Sequence, residues 1–373
     1  EVHRLNAHAI ISVWPSFGPA TGIYADLKAL NKLMIHETFP QDNGVKVYDA
    51  YDPVARDIYW KYMNKNMCSI GMDGWWLDAT ESEHSPVEEG DLDFQTYLGS
   101  FRKVRNAFPL VSVGGVYEHQ RQEASDKRIF ILTRSAFAGQ QRYAAQAWSG
   151  DVVSDWNVLR NQIPAALNIS LTGIPYWNSD IGGFFSGRKF PEGVKDPAFH
   201  ELYVRWMQFA AFTGMMRSHG TNTPREIFMF GEREYWAFDA QEKMINLRYR
   251  LLPYIYSTSW KVTSNGESLM RALFSDFPED KKVMDIGDEY MFGKSILVAP
   301  VTSEVRRRSL YLPEGGQWVD FWTGEKLEGG QEISREAPID IIPLYVKAGS
   351  IIPVGPSVQF ATEKSWDDLQ VRI

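Results

Sequence analysis

Up to about residue 262 the chain repeats one pattern: a short apolar run rich in β-branched residues, a turn, then a longer stretch with apolar positions three and four apart. The short runs predict strands at "AHAIISVW" (7–14), "GWWLDA" (74–79), "RIFILTRS" (128–135), "AAQAWSGD" (144–151), "GIPYWNSDIGG" (173–183) and "GMMRSHG" (214–220). The longer stretches predict helices at 24–34, 53–67, 93–108, 155–171 and 198–214, and one long helix over 242–262. Elements in βαβα order imply a parallel sheet with helices outside it, in a barrel or a doubly wound fold. After the long helix the texture changes to short β-rich runs broken by Gly and Pro, such as "GKSILVAPV", "RRRSLYLPEGGQWVDFW" and "IDIIPLYVKAGSIIPV". That change predicts a (β/α) domain over 1–262 and a C-terminal β-sandwich domain over 263–373.

Charge and composition narrow the partners. Against 47 acidic residues the chain has 39 Lys and Arg, a net charge of −8 with no long basic run, so a nucleic-acid partner is not expected. No run approaches the ~20 apolar residues of a membrane span. The beginning "EVHRLNAHAI" has no signal-peptide pattern, and the compartment is left undecided, with a periplasmic or extracellular placement ahead of a cytoplasmic one. The single cysteine, Cys68, excludes an intrachain disulfide and is expected to be a small core residue. His36, His84, His119 and His200 are scattered without metal-ligand spacing, so no catalytic metal is expected. No nucleotide-binding glycine motif is present, and the glycines of "SDIGGF" are expected to form a tight turn after a strand. Aromatics make up 14% of the chain, which suits sugar stacking but, on composition alone, suits core filling better.

The ends of the strands carry the chemistry. Asp78, Asp151 and Asp180 close three of the six predicted strands; Arg134 closes another, and Arg217 with His219 another. In a parallel barrel all strand C-termini open on one face, which carries the active site. A lone aspartate at such a position is more often a cap for backbone N–H groups, but repetition at equivalent positions argues for function. Two carboxylates across a sugar pocket are what glycoside hydrolysis requires, one as nucleophile or base and one as acid. Glu81 and Glu83, in the loop that follows, are expected to be solvated or structural.

In chain order, "GWWLDATESE", "TRSAFAGQQRYAAQAWSGD", "GIPYWNSDIGGF", "MMRSHG" and "LRYRLLPYIYS" resemble glycoside hydrolase family 31, the retaining α-glucosidases and α-xylosidases. The resemblance implies a (β/α)8-type TIM barrel followed by a C-terminal β-sandwich domain. It implies Asp78 as nucleophile and Asp151 as general acid/base. It further implies that Arg134 contacts sugar and nucleophile, that Trp148 walls the pocket beside the acid/base, and that Trp14 and Trp76 floor the terminal sugar subsite. Asp180 and His219 resemble the pair that binds sugar hydroxyls, with Arg217 supporting them. An oligosaccharide substrate and no cofactor are implied; a homo-oligomer, and association with a missing N-terminal segment, are left open.

Two departures qualify the match. Where many α-glucosidases of the family read "DMNE", this chain reads "DATE", which, with "VWPSFGP" around Trp14, looks more like the α-xylosidases that trim xyloglucan oligosaccharides. The six strands expected here are fewer than the eight of a closed barrel, so the first strands are expected to be absent from this chain. The expectation is a retaining exo-acting α-xylosidase. The alternatives are an α-glucosidase of the same family, a lyase using the same nucleophile, and a homologue that binds carbohydrate without hydrolysing it.

Overall fold

Strand Gly74–Leu77 lies between Ile10–Val13 and Ile131–Thr133 in a parallel sheet that continues to Ala145–Trp148. The computed structural model describes residues 1–82, 87–124, 126–367 and 369–372, in two compact units, Glu1–Trp148 and Ser149–Ile373. In the first unit the strands are in step: Val13 pairs with Leu77, Leu77 with Thr133 and Thr133 with Ala147. The close approach depends on Gly74, where a Cβ would come within 3.0 Å of Ile10 Cγ2 and 3.1 Å of the Phe130 carbonyl.

Strand alternation sends the two adjacent tryptophans to opposite faces. Trp75 is fully buried on the helical side, donating from Nε1 to Gln120 Oε1 at 2.8 Å and meeting the Trp60 ring edge-on at 6.0 Å. Trp60 belongs to helix Pro53–Asn66 and Gln120 to helix Phe108–Glu123. The first of these helices starts at Asp52, whose side chain accepts from the Val54 and Ala55 N–H groups.

The helix expected over 93–108 does not form. Gly99, at φ +119°, and short strands Gln95–Thr96 and Gly99–Ser100 interrupt it, leaving the single α-helical turn Phe101–Val104 and the 3₁₀ turn Arg105–Ala107. The long helix here is Phe108–Glu123, which carries Gly114 and Gly115. Both glycines make room for neighbours: a Cβ would strike the Tyr143 ring at 2.8 Å from Gly114 and the Arg56 side chain at 2.4 Å from Gly115. Packing overrides poor helix propensity at these positions. The helix expected over 24–34 ends at Ala29, and strand Leu33–Glu37 pairs antiparallel with Lys46–Tyr48. Cys68 lies in the 3₁₀ turn Cys68–Ile70 and is half-buried.

In the second unit, helices Trp156–Leu171 and Pro197–Ala210 start at Asp155 and Asp196, whose side chains cap them, and strand Trp177–Asn178 lies between. The strand expected over 214–220 is an irregular extended segment. The long helix expected over 242–262 is two helices, Trp236–Arg250 and Leu252–Asn265. The break falls just before Pro253, which lacks an N–H and sits in the first turn of the second helix.

Beyond Asn265 the chain turns to antiparallel sheets. Six strands run in the order Met270–Ala272, Tyr290–Phe292, Ile296–Val298, Leu344–Lys347, Gln317–Asp320, Lys326–Glu328. The ribbon Arg307–Leu312 with Gln331–Glu336 contributes Leu310 and Leu312 to a core shared with Leu297, Trp318 and Tyr345 of the large sheet. Arg205, buried on helix Pro197–Ala210, ties that helix to the sheets. Its guanidinium donates to the carbonyls of Ile341 at 2.9 Å, Pro338 at 3.3 Å, Ala337 at 2.6 Å and Val305 at 3.3 Å. Burial, with the Arg306 charge nearby, holds its pKa down to about 10. Among the described residues no helix is long and apolar enough to cross a membrane.

Candidate active site

The aligned row Val13–Leu77–Thr133–Ala147 is followed in each strand by a residue already singled out: Trp14, Asp78, Arg134 and Trp148. The ladder continues into this row, since Asp78 N–H donates to the Val13 carbonyl at 3.0 Å and Arg134 N–H to the Leu77 carbonyl at 3.3 Å. In-step parallel strands present equivalent residues on one face, so four strand-end residues share the face opposite Trp75. Trp76, two positions before Asp78, belongs to that face as well, and its ring meets Trp148 edge-on at 5.9 Å. Trp14 packs against Phe39, with ring centroids 5.9 Å apart.

The loop after Asp78 is held residue by residue. Ala79 and Ser82 have φ of +54° and +59°, a region that side-chain-bearing residues seldom occupy and keep only when their surroundings enforce it. Asp78 Oδ1 accepts from the Ala79 N–H at 2.9 Å. The buried Thr80 hydroxyl bonds those of Thr133 and Ser135, each at 2.8 Å. The Ser82 carbonyl lies 3.0 Å from Nε2 of the buried His36. Arg134 Nη1 stands 3.2 Å from Asp78 Oδ1, while its Nη2 pairs with Glu81. Glu81 is therefore not simply solvated: it is ion-paired to the arginine beside Asp78. Glu83 and His84 lie outside the described residues.

The second unit assembles Asp151, Asp180, Arg217 and His219. Asp151 is exposed, on a loop that runs beside the one after Asp180. The Phe184 and Phe185 N–H groups donate to the Val152 carbonyl at 2.7 and 3.1 Å, and the Ser154 N–H to Phe185 at 3.1 Å. Gly182 and Gly183, at φ +80° and +77°, make the turn; a Cβ on Gly183 would lie 2.7 Å from the Ser154 nitrogen. Asp180 is fully buried and ion-paired with the buried Arg217. The Ile181 N–H donates to the Arg217 carbonyl at 3.0 Å, which fixes the irregular 214–220 segment beside the turn.

His219 lies against the Phe184 ring at 5.3 Å. Burial, then the charges of Arg217 and Arg225, push its pKa down to about 4, so it is a neutral imidazole over the ordinary working range. Sequence reasoning missed Arg225 and Phe184. The buried Arg225 guanidinium donates to the carbonyls of Ile181 and Phe184, each at 3.1 Å. Gly220 makes room for it, since a Cβ there would fall 2.1 Å from Arg225 Nη2.

A profile of the glycosyl hydrolases family 31 TIM-barrel domain matches residues 1–258, and one of the glycosyl hydrolase family 31 C-terminal domain matches residues 266–352. An α-xylosidase of Saccharolobus solfataricus is 42% identical over 382 residues, an alignment covering 100% of this chain and 49% of that protein. An alpha-glucosidase 2 of Bacillus thermoamyloliquefaciens is 32% identical, with 84% of this chain and 39% of that protein covered. The crystal structure of a family 31 α-xylosidase from Xanthomonas citri superimposes with a TM-score of 0.92 at 39% identity, covering 99% of this chain and 42% of that one. The chain thus spans less than half the length of each of these relatives.

Proposed function

The chain belongs to glycoside hydrolase family 31, with a TIM-barrel domain followed by a C-terminal domain of antiparallel sheets, and on that footing we propose that the protein is a retaining exo-acting α-glycosidase, specifically an α-xylosidase acting on xyloglucan-type oligosaccharides. The observation that carries the reading is the strand-end row of the first unit, in which Arg134 stands 3.2 Å from the Asp78 carboxylate between two tryptophans. We assign the catalytic domain to residues 1–262 and the C-terminal domain to 263–373.

In the proposed reaction Asp78 attacks the anomeric carbon, the bond to the leaving oxygen breaks, and Asp151 gives that oxygen its proton. The glycosyl ester on Asp78 is then opened by a water from which Asp151 removes a proton, so the configuration is retained. Arg134 orients the nucleophile by a charge-assisted hydrogen bond. Trp14, Trp76 and Trp148 offer flat apolar surfaces for a sugar ring. Asp180, with Arg217 behind it, and the neutral His219 are the proposed partners of sugar hydroxyls.

"DATE" and "VWPSFGP" support xylose, as does the 42% identity to an α-xylosidase, although a second α-xylosidase is 30% identical and two α-glucosidases are 32% and 37% identical. The latter similarity keeps α-glucosidase as the second reading. Hydrolysis of an aryl α-xyloside followed by proton NMR tests both mechanism and sugar. First release of α-xylose is expected. First release of the β-anomer would refute retention, an unsaturated anhydro sugar would mark a lyase, and binding without turnover would mark a carbohydrate-binding homologue.

A further inference from the structure

We propose that His3, His8 and Asp73 form a binding site for a zinc-class divalent cation, at the end of the first unit's sheet away from Asp78. Asp73 immediately precedes strand Gly74–Leu77, whereas Asp78 follows it. The 3₁₀ turn His3–Leu5 and the left-handed Asn6, at φ +56°, reverse the chain so that His3 and His8 both approach Asp73. His3 Nε2 lies 2.8 Å from Asp73 Oδ2 and His8 Nδ1 lies 3.4 Å from Oδ1; all three ligand atoms fall within 4.8 Å of one another.

Tetrahedral zinc with bonds of about 2.0–2.1 Å sets its ligand atoms about 3.3 Å apart, so coordination asks for side-chain shifts of roughly 1 Å. His3 and His8, with side chains 55% and 81% exposed, are free to make them. Asp73 is already aimed: its Oδ2 accepts the Ala9 N–H at 2.8 Å, while its own N–H donates to the Ala9 carbonyl at 2.8 Å. Gly71, at φ +104°, leaves space for the ring, since a Cβ there would come within 3.2 Å of His3 Cε1.

Two imidazoles and one carboxylate suit zinc and its later first-row neighbours, whereas calcium and magnesium prefer all-oxygen sets. Three protein donors leave a fourth position for water. The bound ion would clip segment 2–9 to the start of the central strand.

The test is titration of zinc chloride into the full chain, free of any affinity tag, by calorimetry at pH 7.5. One saturable site per chain is expected, with a dissociation constant of about 10 µM or tighter, together with a thermal midpoint raised by about 2 °C or more at saturating zinc. His8→Gln, on a side chain that is mostly exposed, should leave the fold intact yet weaken zinc at least tenfold and abolish the thermal shift; Asp73→Asn should weaken it as well. Cobalt(II) should give a visible absorption band in the unsubstituted protein that His8→Gln removes. Absence of saturable zinc binding would reduce the cluster to hydrogen bonds, and binding indifferent to His8→Gln would put the ion elsewhere; either result overturns the proposal.

Discussion

Arg134 stands between two carboxylates, its Nη1 3.2 Å from Asp78 Oδ1 and its Nη2 paired with Glu81. Glu81 therefore acts on the proposed nucleophile at one remove, by holding the guanidinium that holds it. Glu81→Gln should lower kcat about 10- to 100-fold with little change in KM, because a small displacement of a reacting group costs that much. Steady-state kinetics on an aryl α-xyloside check this. A raised KM at unchanged kcat would make Glu81 a substrate contact instead.

Asp78→Ala should abolish turnover on every substrate, since no covalent intermediate can form. Asp151→Ala should harm poor leaving groups far more than activated ones, because only the former need a proton. Comparing a glycosyl fluoride or nitrophenyl glycoside with a natural oligosaccharide separates the two, and equal losses on both would end the division of roles.

Xylose lacks the hydroxymethyl group that glucose carries at C5. A pocket closed over that position rejects glucose sterically, whereas an open one loses only ~1–3 kcal/mol, about 10- to 200-fold, on xylose. The kcat/KM for an aryl α-xyloside should exceed that for the matching α-glucoside by more than about 100-fold. A ratio near one or reversed would shift the sugar to glucose and leave Asp78 and Asp151 in place.

Burial pushes Glu289 up to about 8, and both of its oxygens lie near the Tyr311 N–H, at 3.0 and 3.2 Å. The folded state therefore holds a proton that the unfolded chain releases near the usual carboxylate value. Its contribution is fully present below about pH 4.5 and is lost as pH rises through about 8. Denaturant unfolding from pH 5 to 9 should show stability falling with a slope that Glu289→Gln flattens; parallel curves for the two proteins would sink the assignment.

Trp75→Ala removes a fully buried ring and orphans Gln120 Oε1. A loss of about 3–5 kcal/mol is expected from cavity formation, read from urea midpoints. Trp76→Ala, on the other face, should cost less stability and more activity.

The strand ends at Asp78 and Arg134 were legible because apolar runs that stop on a charged residue mark both a strand and its exit; Asp151 and Asp180 lie two or three residues past theirs, and Arg217 and His219 follow no strand. The faces of Trp75 and Trp76 follow from period-two alternation once the register is known. Helix Phe108–Glu123 was not legible, because Gly114 and Gly115 look like breakers until Tyr143 and Arg56 are seen filling the space beside them. The 93–108 stretch misled in the opposite way: its apolar spacing is helical, but Gly99 adopts a φ no helix contains. Glu81 was ambiguous because local spacing says nothing about an arginine 53 residues on. His3, His8 and Asp73 meet across a separation that no spacing rule reads; only strand pairing brings Ala9 and Asp73 side by side.

Arg205 sits within helix Pro197–Ala210, yet four of the groups that answer its charge are backbone carbonyls from beyond residue 300. A gene shortened after Asn265 would leave that buried cation with the Gln208 side chain, 3.0 Å away, but without the four carbonyls. Modular evolution meets the same obstacle. A foreign C-terminal domain grafted here would have to offer main-chain oxygens along the same four directions to meet the Arg205 guanidinium.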